Sequence, residues 1–137
     1  KNIGIVKALW NSDITTKLYS SCHETLIKHG VNAKNIHTLE VPGSFELIYG
    51  GKRIIENKNL DAVILIGSII KGETPHFEFI SQAIANGVKD LNLMFKIPFV
   101  FCVSTDLSQQ QALERAGGKA GNKGKDAANT ALHLIKI

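Results

Sequence analysis

The sequence predicts an α/β protein, a three-layer αβα sandwich built on a four-stranded parallel sheet. Segments typical of strands and of helices alternate along the chain in the order βαβαβαβα, with short connections between them. The third strand-like segment is nearly all apolar, as expected of a strand that is covered on both faces. Right-handed crossovers between parallel strands place helices on both faces of such a sheet. A chain of 137 residues has the length of one domain, which we assign to residues 1–137.

Apolar, β-branched segments predict the strands, and apolar residues at helical spacing between them predict the helices. The predicted strands are Asn2–Ala8, Ile36–Val41, Ala62–Ile70 and Pro98–Ser104. The candidate helix caps, in chain order, are Ser12 or Asp13, then Ser44, then Thr74 followed by Pro75, then Ser108 with Gln111. The predicted helix ends are His29-Gly30, about Glu56 and about Arg115, after which a glycine-rich loop leads to a last helix from about Asn122.

The composition disfavours several classes of protein. Hydrophobic residues make up 44% of the chain, which argues against disorder. The longest apolar runs, Ala62–Ile66 and Pro98–Val103, fall far short of the ~20 residues of a membrane helix, so no membrane partner is expected. The net charge is +4, but the chain lacks the aromatic residues expected beside a basic nucleic-acid groove, so no nucleic acid is expected either. Cys22 and Cys102 lack zinc or redox spacing, which favours a reduced, cytoplasmic setting.

One stretch is locally basic. Arg115, Lys119, Lys123 and Lys125 lie together with four glycines and no acidic residue between positions 115 and 125. Such a loop suits a small anionic ligand better than it suits a polymer.

Residues that follow the strands are the candidates for chemistry, because parallel sheets of this kind bind ligands beyond the carboxyl ends of their strands. Trp10, the only tryptophan, follows the first strand, where its ring can stack on a planar heterocycle or pack under a loop. Pro42-Gly43-Ser44 is expected to offer free backbone N–H groups to ligand oxygens, or to serve only as a helix cap. Glu46 can accept hydrogen bonds from ligand hydroxyls or complement the helix dipole.

A candidate phosphate site follows the third strand. Gly72-Glu73-Thr74-Pro75 combines a glycine, which permits close approach, with a predicted helix N-terminus, whose N–H groups attract anions. His76 comes next and is a candidate general acid–base residue. We interpret the remaining histidines as surface or core residues: His23, His29, His37 and His133. Arg115 can hold a phosphate through two parallel hydrogen bonds, or can be a solvated charge at a helix end.

Other catalytic signatures are missing from the chain. There is no Gly-x-Gly-x-x-Gly after the first strand, no Walker A spacing in residues 117–124, no Gly-x-Ser-x-Gly turn and no histidine–carboxylate pair at metal spacing. A dinucleotide enzyme, an NTPase, a serine hydrolase and a metalloenzyme are therefore disfavoured, and no metal is expected. A receiver-like signalling domain is disfavoured because paired acids do not follow the first strand.

Three segments carry a resemblance to a known family. They are Val41-Pro42-Gly43-Ser44-Phe45-Glu46, Gly67-x-x-Ile70-Lys71-Gly72-x-Thr74-x-His76-Phe77 and Glu114-Arg115-Ala116-Gly117-x-Lys119-x-Gly121-Asn122-Lys123-Gly124. In register and in order from Ile3 to the C-terminus, the chain resembles the 6,7-dimethyl-8-ribityllumazine synthases, transferases of the penultimate step of riboflavin biosynthesis. The resemblance implies a flavodoxin-like fold and catalysis without a cofactor.

The family condenses 5-amino-6-(D-ribitylamino)uracil with 3,4-dihydroxy-2-butanone 4-phosphate and releases phosphate and water. The resemblance implies that His76 transfers protons and that Glu73, Thr74 and Arg115 bind the phosphate. It assigns the pyrimidine and ribityl groups to Trp10, Ser44, Phe45, Glu46, Ser68, Ile69, Ile70, Phe101 and Lys123. Two positions depart from many members, which have arginine in place of Lys71 and alanine or glycine in place of Glu73. Because a carboxylate beside a phosphate is repulsive, we expect Glu73 to contribute its backbone N–H and to turn its side chain away.

The resemblance also implies a homo-oligomer with small-molecule substrates. A pentamer is expected, in which Phe101 and Arg115 come from the neighbouring subunit, and a 60-subunit icosahedral shell is the further expectation because residues 117–122 carry no insertion. Riboflavin synthase is a candidate partner. The rival interpretation is a non-catalytic flavin or lumazine carrier, which would use the same stacking and phosphate sites but would not need His76.

Overall fold

The computed structural model of the chain describes residues 1–72 and 76–137. The strands of the main sheet are β1 (Ile3–Ala8), β2 (Ile36–Val41), β3 (Ala62–Ile70) and β4 (Phe99–Asp106). The helices are α1 (Ser12–Lys28), α2 (Leu47–Ile54), α3 (His76–Met94), α4 (Gln109–Arg115) and α5 (Lys123–Ile135). The strands are parallel and lie in the order β2-β1-β3-β4, which is the order of a flavodoxin-like doubly wound sheet. The predicted α/β fold class is confirmed.

Two apolar layers hold the helices to the sheet. Alternate residues of β1 show the division, since Ile5 belongs to the layer under α1 and α5 and Val6 belongs to the layer under α2 and α3. The central strand β3 supplies both layers and is buried from Ala62 to Ser68. A strand covered on both faces must be apolar throughout, and this accounts for the continuous run that predicted it.

The start of α1 differs from the prediction. Ser12 and Asp13 were the expected caps, but Ser12 is already helical and the cap position is Asn11, in a left-handed conformation with φ 59°. Asn11 makes no side-chain cap hydrogen bond, and its Nδ2 donates to the Ser68 carbonyl at 2.9 Å. This contact joins the end of β1 to the end of β3.

The start of α2 differs as well. Ser44 opens a short 3₁₀ turn, Ser44–Glu46, and the α-helix covers only Leu47–Ile54, not the span from Ser44 to Glu56. The predicted cap Thr74 and the adjoining Pro75 lie outside the described residues.

The chain beyond β3 departs from the prediction at two places. Strand β4 runs on to Asp106, past the predicted end at Ser104, because its pairing with β3 continues to Ile70. The predicted glycine-rich loop contains a small antiparallel hairpin, β5 (Ala116–Gly118) with β6 (Gly121–Asn122). The predicted cap of α4 is present, since Ser108 Oγ accepts from the Gln111 N–H at 3.1 Å.

Candidate active site

Trp10 stands at the junction of β1 and β2. The N–H groups of Leu9 and Trp10 both donate to the Pro42 carbonyl, at 3.0 and 2.9 Å, and this ties the ends of the two strands together. One edge of the indole rests on Gly43, where an added Cβ would lie 2.5 Å from the ring. The side chain is nevertheless 67% exposed, so it is not packed under a loop and its ring is accessible to a planar ligand.

Two serines lie at the ends of β2 and β3, on opposite faces of the sheet. A Cβ added at Gly67 would lie 2.4 Å from Ser44 Oγ, so only a glycine permits the serine to approach β3 this closely. Ser68 follows Gly67, is buried, and has a hydroxyl with no hydrogen-bond partner among the described residues. A buried hydroxyl of this kind usually has a partner, and a ligand at the strand ends would supply one.

The turn after β2 is only partly as predicted. The Gly43 N–H is not free, because Glu46 Oε1 accepts from it at 2.9 Å, while the Glu46 N–H donates to the Gly43 carbonyl at 3.2 Å. Of the N–H groups in the Pro42-Gly43-Ser44 turn, that of Gly43 therefore serves as part of the cap. The carboxylate of Glu46 is a cap, and Phe45 lies at one end of an apolar groove between α2 and α3. In the described part of the chain, the N–H groups of Ser44 and Phe45 have no hydrogen-bond partner.

His76 is the first described residue of α3 and lies next to the end of β3. It lines a small depression of about 170 Å³ together with Ile69, Ile70 and Gly72. The histidine is exposed, so its ring can reach a ligand that lies over these residues. The other predicted residues of this loop, Glu73 and Thr74, lie outside the described residues.

Phe101 and Lys123 are in a different place. They line one depression of about 390 Å³ at β4 and α5, together with Asp126 and Thr130. Phe101 is 40% exposed and pairs across the sheet with Leu65. Since a strand rises about 3.3 Å per residue, Phe101 lies about 16 Å along the sheet from the level of Ile70, at the end of β3.

Arg115 lies on the open edge of β4. Its Nη1 donates to Asp106 Oδ1 at 2.8 Å and to the Thr105 carbonyl at 3.4 Å. The next carbonyl, that of Asp106, accepts from Lys71 N–H at 2.8 Å and therefore faces β3. Carbonyls of successive strand residues point to opposite sides, so the Thr105 carbonyl, and Arg115 with it, faces away from β3. Arg115 is thus ion-paired and is not a freely solvated charge.

The described site residues therefore form two groups. We call the first the strand-end group: Trp10, Ser44, Phe45, Glu46, Ser68, Ile69, Ile70 and His76. We call the second the edge group: Phe101, Arg115 and Lys123. Sequence reasoning missed Asn11 and Asp106 as organising residues; an acid at the end of an apolar strand was the available signal for Asp106.

The two cysteines are no candidates for nucleophiles. Both are free and buried. Burial raises the pKa of the Cys102 thiol to about 12 and raises the pKa of the Cys22 thiol as well. At neutral pH both are therefore protonated, whereas the thiolate is the reactive form.

Within residues 1–72 and 76–137, no three or more His, Cys, Asp or Glu side chains are grouped closely enough to hold a metal ion. None of the helices described there is both long enough and apolar enough to cross a bilayer.

The fold defines a class of protein: a doubly wound α/β protein, whose candidate small-molecule site lies beyond the carboxyl ends of its strands. The model of the family described as 6,7-dimethyl-8-ribityllumazine synthase matches residues 1–137. Three similar proteins carry that name. The one from Parabacteroides distasonis is 50% identical over 136 residues, covering 99% of this chain and 85% of its own length. The one from Flavobacterium psychrophilum is 50% identical over 134 residues (98% and 71%). The one from Bacteroides fragilis is 45% identical over 132 residues (96% and 92%). The chain belongs to the 6,7-dimethyl-8-ribityllumazine synthase family.

Proposed function

We propose that this chain condenses 5-amino-6-(D-ribitylamino)uracil with 3,4-dihydroxy-2-butanone 4-phosphate, at a site that two subunits build together. The reaction follows from family membership over the whole chain, and it makes the protein a transferase of riboflavin biosynthesis. The strand-end group of one subunit and the edge group of its neighbour form the site.

The strand-end group carries the pyrimidine substrate in this proposal. The exposed Trp10 ring stacks on the heterocycle, and the buried Ser68 hydroxyl and the unpartnered N–H groups of Ser44 and Phe45 hold polar atoms of the substrate. His76 moves the protons that Schiff-base formation, phosphate elimination and ring closure require. One general acid–base residue contributes about 10²–10⁴-fold, and alignment of two substrates contributes roughly 7–11 kcal/mol.

The edge group completes the site from a second subunit. Arg115 holds the phosphate together with Glu73 and Thr74, Phe101 covers the ring, and Lys123 lies close to the reacting groups. Two observations support this division between subunits: Arg115 faces the open edge of β4, away from β3, and Phe101 lies about 16 Å along the sheet from the level of Ile70.

An apolar groove supports an assembly in which copies pack side by side. It has a volume of about 630 Å³, lies between α2 and α3, and is lined by Phe45, Ile48, Tyr49, Leu91, Met94 and Phe95 among others. Phe45, Tyr49 and Met94 each expose more than half of their surface. Such a patch marks an interface, and a head-to-tail contact that closes on itself generates a ring. We propose a pentamer, with a 60-subunit shell as its higher assembly.

Subunit complementation tests the shared site. His76→Ala disables the strand-end group and Arg115→Ala disables the edge group. When the two variants are unfolded, mixed in equal amounts and refolded together, about a quarter of the shared sites contain both intact groups, so about a quarter of the wild-type rate should return. Formation of the lumazine chromophore measures the rate, and each variant refolded alone is the control. Single variants that both match the wild-type rate at subsaturating butanone phosphate, or a mixture no faster than its components, would contradict the proposal.

Size and partners are tested separately. Five copies of the 14.9 kDa chain have a mass of about 75 kDa and sixty copies have about 890 kDa, and sedimentation velocity distinguishes the two assemblies. A monomer would rule out both assemblies.

Riboflavin synthase, which consumes the product, is the proposed protein partner, and co-sedimentation with it tests this. We further propose a cytoplasmic location, supported by the two free cysteines. The rival carrier function predicts tight riboflavin binding without condensation, which titration and the rate assay distinguish.

A further inference from the structure

A buried carboxylate holds Arg115. Asp106 ends β4 and has no exposed surface, and its Oδ1 accepts the 2.8 Å hydrogen bond from Arg115 Nη1. Its Oδ2 accepts a hydrogen bond from Ser104 Oγ, and Ser104 is fully buried as well. In the described part of the chain, Arg115 is the one cation paired with this carboxylate. A buried charge needs such a partner, so the position of the guanidinium is tightly coupled to that of Asp106.

The way in which Arg115 is held leaves one side of its guanidinium unused. Nη1 makes both hydrogen bonds, to Asp106 and to the Thr105 carbonyl. Nη2 and Nε have no partner within residues 1–72 and 76–137. These two nitrogens share an edge of the planar group and can donate to two oxygens of one phosphate. The side chain is 34% exposed, so an anion can reach that edge.

We propose that Asp106 is a positioning residue, which fixes Arg115 in the orientation that receives the phosphate of the butanone substrate, and that Ser104 fixes Asp106. This inference rests on the proposed phosphate-binding role of Arg115. A free arginine side chain samples many rotamers, and ordering it at the moment of binding weakens affinity by about two- to tenfold. Because Asp106 already orders Arg115 in the free protein, substrate binding does not have to order it.

Asp106 has two opposite effects on phosphate binding, because its position favours binding and its negative charge opposes it. A carboxylate beside the guanidinium partly neutralises it and reduces its attraction for a phosphate. Asp106→Asn separates the two effects, because the amide oxygen still accepts from Arg115 Nη1 while the negative charge is lost. Asp106→Ala removes both the charge and the anchor.

Inorganic phosphate, a product of the reaction, is the probe. We expect Asp106→Ala to weaken phosphate binding, measured by calorimetry on the assembled protein, and to raise the KM for the butanone phosphate by about tenfold. The KM for the pyrimidine should stay within about twofold. Asp106→Asn should keep at least about one third of the wild-type affinity for phosphate. Ser104→Ala should lower the affinity for phosphate about threefold. Asp61→Ala is the matched control, since Asp61 accepts a 2.7 Å hydrogen bond from Asn2 N–H at the opposite end of the sheet.

Arg115→Ala separates this inference from the proposed function beneath it. If Arg115→Ala leaves phosphate binding unchanged, the proposed role of Arg115 fails. If it weakens binding but neither Asp106→Ala nor Ser104→Ala does, the positioning role is overturned and the role of Arg115 stands. In the Arg115→Ala background, Asp106→Ala should cause no further loss of phosphate binding, and an additive loss would overturn the inference. If Asp106→Ala does not fold, Ser104→Ala decides the question, because unchanged phosphate binding in that variant contradicts the positioning role.

Discussion

Gly67→Ala should damage the site through a single steric contact. The new Cβ would lie 2.4 Å from Ser44 Oγ, 3.2 Å from Ser44 Cβ and 3.0 Å from Leu47 Cδ1. Each distance is shorter than an ordinary contact, so the Ser44 hydroxyl must turn away and the 3₁₀ turn must shift. Overpacking of a buried position costs about 1–3 kcal/mol, and at about 2 kcal/mol the melting temperature of a chain of this size falls by about 6 °C.

The same clash should weaken binding of the pyrimidine substrate. Loss of one or two well-placed hydrogen bonds costs about 1–2 kcal/mol, so we expect the KM for the pyrimidine to rise about five- to thirtyfold while the KM for the butanone phosphate changes little. Thermal unfolding and initial rates of lumazine formation measure the two effects.

Ser44→Ala provides the matched control for Gly67→Ala. It removes the nearest clashing atom and leaves the Ser44 N–H in place, so the double variant should recover most of the lost melting temperature and most of the substrate affinity. Additive melting-temperature losses in the double variant, or a Gly67→Ala protein as stable as the wild type, would refute the steric argument.

Four further predictions concern individual side chains. His76→Ala should lower kcat by about 10²–10⁴-fold with little loss of substrate binding, and unchanged turnover would remove it from proton transfer. Arg115→Ala should raise the KM for the butanone phosphate by about 10–100-fold, since a charged hydrogen bond contributes about 1.5–3 kcal/mol; an equal rise for both substrates would contradict its role. Trp10→Phe should retain most pyrimidine affinity and Trp10→Ala should lose about tenfold, whereas equal losses would argue against stacking. Because burial raises the pKa of the Cys102 thiol to about 12, thiol reagents at pH 8 should label the folded protein far more slowly than the urea-unfolded chain; equal rates would contradict the buried placement of the cysteines.

Sequence patterns predicted well the element whose residue types reflect its burial. Strand β3 occupies Ala62–Ile70 as predicted, and its run of apolar and β-branched residues is buried from Ala62 to Ser68. The elements that were mispredicted are those settled by distant partners. Asn11, not Ser12, occupies the cap position of α1 because its side chain bonds the Ser68 carbonyl, 57 residues away.

The amino-acid sequence was sufficient for the α/β class, for the residues at the strand ends and for the family that the chain resembles. These depend on hydrophobic periodicity and on short segments, both of which are visible along the chain. Only the tertiary structure showed that Arg115 faces the open edge of β4, away from β3, and is bound to Asp106. The reason is geometric. The direction of the Thr105 carbonyl depends on how far β4 stays paired with β3, and that pairing is a contact between distant parts of the chain.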